Sequence, residues 1–107
     1  MNDDFKEAEK AYHYLASTDE EYTNAKALMV GRKHMLKVAY SVAYLESGES
    51  TVAAREASAN CSEALLSAIS GYREAVLEYE TLDAKRQRAL LAIERWRTLE
   101  ATRRKTT

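Results

Sequence analysis

Apolar side chains in the last third of the chain recur at alternating spacings of four and three. They run through Leu65, Ile69, Tyr72, Val76 and Tyr79, and an apolar face continues through Leu82, Leu90, Ile93, Trp96 and Leu99. This spacing predicts one amphipathic helix over 61–103 with a seam that other helices must cover. A second stripe, Leu28, Gly31, Met35, Val38, Val42 and Leu45, predicts a helix over 19–46. Gly31 on that stripe either costs roughly 1 kcal/mol relative to alanine or admits a close neighbour such as Tyr79 or Trp96. The spacing of Phe5, Ala8, Tyr12 and Leu15 predicts a first helix over 3–16, with Asp3 and Asp4 at its positive end.

The polar run Ser17-Thr18-Asp19-Glu20-Glu21 falls between the first two helices. Thr18 followed by Glu21 has the spacing of a capping box, so a new helix is expected to start there; one continuous helix is the alternative. Ser47-Gly48-Glu49-Ser50 is the clearest turn, with Gly48 suited to the left-handed conformation and Ser50 or Thr51 to the next cap. A short connecting helix is expected over 51–59, and Asn60 with Glu63 suggests the cap of the long one. Gly71 lies just off the long helix's seam, and the Arg103-to-Thr107 end is expected to fray.

The expected fold is therefore all-α within a single domain. It is an elongated, coiled-coil-like antiparallel helical hairpin with an extra N-terminal helix and a short connecting helix. On this reading the 61–103 helix outruns its 19–46 partner, leaving its C-terminal half short of cover and favouring a dimer. Composition agrees. The 107 residues contain no proline and three glycines, and 31% are charged, as in long-helix proteins. A thin core of this kind also favours a homo-oligomer.

The net charge of −1 hides an asymmetry. Residues 1–21 carry seven acidic side chains against Lys6 and Lys10. Residues 84–107 carry eight basic side chains against Glu94 and Glu100. Either the two ends neutralise each other, or the basic end meets an anionic partner. Cys61 is the only cysteine, which fits a reducing, cytoplasmic setting. The acidic Met1-Asn2-Asp3-Asp4 start is unlike a signal peptide, and no apolar run is long enough to span a bilayer.

Candidate chemistry is sparse. His13 and His34 are the only histidines; no His-x-x-x-His, Cys-x-x-Cys or Glu-x-x-His pattern occurs, so no metal is expected. No glycine-rich phosphate loop is available, no base is marked out beside Cys61, and neither an enzyme nor a cofactor is expected. Seven tyrosines are many for a helical chain. Tyr12, Tyr72 and Tyr79 are expected along the seam, and Tyr40 and Tyr44 against the first helix or a partner chain. The basic end, with Arg97, Arg103, Arg104 and Lys105 near Trp96, could track a phosphate backbone. Trp96, however, shares a face with Ile93 and Leu99, and a basic helix end also complements the helix dipole with no ligand at all.

Two stretches resemble a known group. Ser47-Gly48-Glu49-Ser50-Thr51-Val52-Ala53-Ala54-Arg55-Glu56-Ala57 resembles an EGTVAEREA segment. Ile93-Glu94-Arg95-Trp96-Arg97-Thr98-Leu99-Glu100-Ala101-Thr102-Arg103-Arg104 resembles IExWRTLxANRR. Both are similar to segments of small helical proteins of tailed phages and prophages, encoded near recombination and single-strand-binding genes. Ala54 and Thr102 stand where that pattern has Glu and Asn.

The resemblance implies a phage accessory protein acting in the bacterial cytoplasm, in DNA recombination or replication. The expected function is non-enzymatic binding of a protein partner through an oligomeric helical scaffold. Arg55 and Glu56 at the corner, and Arg97, Arg103, Arg104 and Lys105 in the tail, are the candidate contacts. Direct binding of single- or double-stranded DNA is the alternative, and inhibition of a host nuclease or defence protein through the acidic start is a third.

Overall fold

The computed structural model describes residues 3–106, so Met1 and Asn2 of the acidic start and Thr107 of the tail lie outside the described residues. Three helices follow in order: α1 (Asp3–Glu46), α2 (Val52–Asn60) and α3 (Glu63–Thr106). No strand occurs among the described residues. The fold is an all-α helical hairpin, with α2 as the short connecting helix.

The expected break near Thr18 is absent, and α1 is one helix of 44 residues. The Thr18 hydroxyl does not cap a new helix. It donates to the Tyr14 carbonyl at 2.7 Å, one turn back, while Ser17 and Thr23 bond to Tyr14 and Asp19 in the same way. Such back-bonds let hydroxyl side chains remain inside a helix. The separate N-terminal helix is thus the first part of α1. A further expectation is narrowed with it: the first part of α1 covers α3 as far as Trp96, and only the last turns of α3, exposed over 101–106, run past that contact.

Two compact units form, one from the chain up to Thr23 together with Glu80 onward, the other from Asn24–Tyr79. In the first unit, Phe5 meets Trp96 while Tyr22 meets Asp83, so α1 and α3 run antiparallel. The inward positions of α1 here include Ala8, Ala11, Leu15, Thr18 and Tyr22, spaced three and four apart. Leu82, Arg86, Ala89, Ile93 and Trp96 answer from α3. This is the heptad rhythm of a coiled coil, with alanines bringing the two backbones close.

In the second unit the inward positions of α1 include Ala25, Met29, Arg32, Leu36, Ala39 and Ala43. They lie one residue on from the expected stripe. Leu28, Gly31, Met35, Val38, Val42 and Leu45 are all exposed instead. No group lies within 4 Å of where a Gly31 Cβ would be, so neither Tyr79 nor Trp96 packs there. On α3, Leu65 and Ala75 are buried and Tyr72 and Tyr79 half-buried.

The corner follows its local chemistry. Gly48 has φ +72, the left-handed conformation expected of it. Thr51 caps α2, its hydroxyl accepting from the Ala54 N–H at 3.1 Å. The cap of α3 is Ser62 rather than Asn60. Its hydroxyl accepts from the Leu65 N–H at 3.2 Å and donates to the Ala59 carbonyl at 2.8 Å. Asn60 cannot serve because α2 continues through it to Cys61, whose N–H still donates to the Ala57 carbonyl. Cys61 is exposed at this C-cap, not tucked in at a helix start. The helix persists through Thr106, so Arg103, Arg104 and Lys105 form its last turn rather than a frayed end.

Candidate partner-binding surface

Each unit holds one arginine within its seam. In the first, Arg86 on α3 reaches across to α1. Its Nη1 donates to the Leu15 carbonyl at 2.9 Å and to Thr18 Oγ1 at 2.7 Å, and its Nη2 to Asp19 Oδ1 at 2.7 Å. Its guanidinium lies 4.7 Å from the centroid of the Tyr22 ring, and the Tyr22 hydroxyl donates to Asp83 Oδ1 at 2.8 Å. The Arg86 side chain is only 15% exposed, so its bonds to Leu15 and Thr18 form where competing water is scarce, whereas Asp19, 68% exposed, meets it at the rim. In the second unit Arg32 crosses from α1 to α3, donating to the Gly71 carbonyl at 2.8 Å. Arg32 Nη1 lies 3.3 Å from where a Gly71 Cβ would stand, so the missing side chain makes room for it. Sequence patterning missed both arginines, because a charged residue at a seam position weakens the very stripe that marks the seam. Polar seam groups of this kind fix register.

The ring contact of Phe5 with Trp96, centroids 5.8 Å apart and planes at 62°, forms the floor of a groove in the first unit. The groove has a volume of about 440 Å³. Phe5, Ala8, Tyr12, Ile93 and Trp96 give it an apolar lining, and Glu9, His13 and Arg97 add polar groups. Tyr12, expected along the seam, is 64% exposed beside this groove. Trp96 is half-buried, and its indole Nε1 is buried without a hydrogen-bond partner. Such an orphan donor costs about 1–3 kcal/mol.

The candidate contact residues fall in different places. Arg97 lines the groove and pairs with Glu94 at 3.1 Å, one helical turn before it. Arg103 pairs with Glu100 at 2.8 Å. Arg104 and Lys105 are exposed beside it in the last turn of α3. Upstream, Arg95 approaches Asp4 at 3.6 Å. The acidic start and basic end therefore do meet, within the molecule, at this contact. Local carboxylates partly balance the basic end and reduce what it offers to a phosphate backbone.

Arg55 is committed to the corner. Its Nε donates to the Glu49 carbonyl at 2.8 Å, and its guanidinium lies 5.8 Å from the Tyr44 ring centroid. Tyr40 and Tyr44, whose ring centroids are 6.3 Å apart, pack at this corner, and not on the first turns of α1. Glu56 is exposed and lines a shallow hollow with Tyr40, Ser41, Tyr44 and Leu45.

His13 and His34 are both exposed. Among the described residues no group of three or more His, Cys, Asp or Glu side chains could hold a metal ion. No helix among them is long and apolar enough to cross a membrane. No protein family, curated protein or solved structure matches the chain.

Proposed function

We propose that this chain is a non-enzymatic interaction protein that binds a protein partner in the Phe5–Trp96 groove. The observation that carries this reading is the apolar groove itself, lined by Phe5, Ala8, Tyr12, Ile93 and Trp96. An aromatic-lined, apolar depression of this kind suits a partner that brings an apolar side chain. Arg97 extends the same surface with a cation that is 67% exposed. The resemblance to phage proteins supports a partner in DNA recombination or replication and a bacterial cytoplasmic setting. The scaffold carrying the groove is an oligomer on this reading.

Direct DNA binding through Arg103, Arg104 and Lys105 is less favoured, given the carboxylates at Glu94 and Glu100. Affinity capture in bacterial cells separates the two surfaces. A bound protein retained by the wild type, lost with Tyr12→Arg and kept when Arg103, Arg104 and Lys105 are all changed to Glu supports the groove. Loss only with the tail changes transfers the function to the basic end.

A further inference from the structure

The most unusual surface of the second unit is one face of α1. Leu28, Gly31, Met35, Val38, Val42 and Leu45 recur there at spacings of three and four, parallel to the intrachain seam. Every one is exposed, Leu45 by 79% and Met35 by 50%. Asn24, Ala27, His34 and Ser41 complete the same face and are also exposed. Across this whole face, from Asn24 to Leu45, there is no Asp, Glu, Lys or Arg, in a chain that is 31% charged. The lysines of this stretch, Lys26, Lys33 and Lys37, project from the opposite side of the helix. A solvated helix face is normally charged, and an uncharged heptad stripe is a second coiled-coil seam without its other half.

We infer that this stripe is the contact between two copies of the chain, with α1 antiparallel to α1 of the partner. The inference deepens the oligomeric part of the function proposed above and does not use the groove. A two-fold contact sets each surface against itself, so any strong charge on it would meet a like charge. The α1 face itself has none; Glu56 of α2 borders only its Ser41 and Leu45 end and, in an antiparallel pairing, lies away from the Glu56 of the other copy. An antiparallel pairing centred between Leu36 and Lys37 puts Leu28 opposite Leu45, Gly31 opposite Val42 and Met35 opposite Val38. Leucine closes on leucine at both ends. The open space at Gly31 receives a β-branched valine. A face of this length buries on the order of 500 Å² per copy, below the ~800 Å² of a standard interface, so the dimer is reversible.

Sedimentation velocity of the full chain tests this. The wild type shows a monomer–dimer equilibrium in the micromolar range. Val38→Glu is monomeric with unchanged helicity, and Leu91→Glu, at an exposed position in the other unit, dimerises like the wild type. In a Cys61→Ser background, mixing Leu28→Cys with Leu45→Cys gives the mixed disulfide in preference to either like pair. A wild type that stays monomeric up to roughly 500 μM, far weaker than a micromolar complex, overturns the proposal. So does a Val38→Glu chain that still dimerises, or a preference for the 28–28 disulfide.

Discussion

Arg86 and Thr18 are bonded across the two long helices, guanidinium Nη1 to hydroxyl Oγ1, at 2.7 Å. Thr18 is 8% exposed and sits at a position that sequence patterning assigns to a helix boundary. The same hydroxyl donates backward to Tyr14 and accepts forward from Arg86. One side chain therefore keeps α1 continuous and ties its register to α3.

That contact makes a measurable claim about stability. Arg86→Ala leaves the Leu15 carbonyl and Thr18 hydroxyl without this donor and should cost about 2–3 kcal/mol. Thr18→Val removes one acceptor and should cost about 1 kcal/mol. Urea unfolding of both singles and the double should show non-additive losses, because the two residues share one bond.

The glycines should separate by conformation. Gly31→Ala adds a methyl group into open space within a helix and should stabilise the fold by about 0.5–1 kcal/mol. Gly48→Ala forces a Cβ into the left-handed region and should destabilise by about 1–2 kcal/mol. Thermal melts at one fixed protein concentration read both signs.

Trp96→Phe removes a buried donor that has no acceptor. Losing that penalty offsets part of the lost ring area, so the variant should unfold within about 1 kcal/mol of the wild type. Trp96→Ala, which also deletes the ring against Phe5, should cost about 3–5 kcal/mol. Urea titrations distinguish them.

The basic end should behave as a partly neutralised surface. Fluorescence anisotropy with labelled single- and double-stranded DNA should show no saturable binding at physiological salt. Weak binding at low salt should fall away steeply as salt is added. Tight, saturable binding at physiological salt that disappears on reversing Arg103, Arg104 and Lys105 would restore the DNA reading.

Much of the hairpin was legible in the residues. The turn at Gly48, the cap at Thr51 and the seam through Leu65, Tyr72, Tyr79, Leu82, Ile93 and Trp96 follow from spacing and turn chemistry. Leu90 and Leu99 of the same predicted face are instead exposed, Ala89 taking the inward place beside Leu90. The inner face of α1 was not, because its seam runs through Ala25, Arg32, Ala39 and Ala43. Alanine and arginine contribute little to an apolar stripe, so the pattern pointed to the large side chains one residue earlier. Those residues form instead an exposed stripe that faces away from the chain's own seam. The Thr18 region misled for a related reason: its hydroxyl has a partner 68 residues away, which no local window contains. The groove is hidden in the sequence because Phe5 and Tyr12 share one helical face with Ala8 and Leu15, yet Ala8 is buried while Phe5 and Tyr12 stay exposed beside the groove.

Occupation of the groove beside Trp96 by a protein partner, as proposed above, has a direct physical readout at Tyr12. Site-specific photo-crosslinking in bacterial cells tests it most directly, with a photoreactive phenylalanine in place of Tyr12 in one chain and of Leu77, equally exposed but outside the groove, in another. A protein seated in the groove gives a discrete adduct with a different protein from position 12 and none from position 77. No adduct from position 12, or the same adducts from both positions, would contradict that proposal.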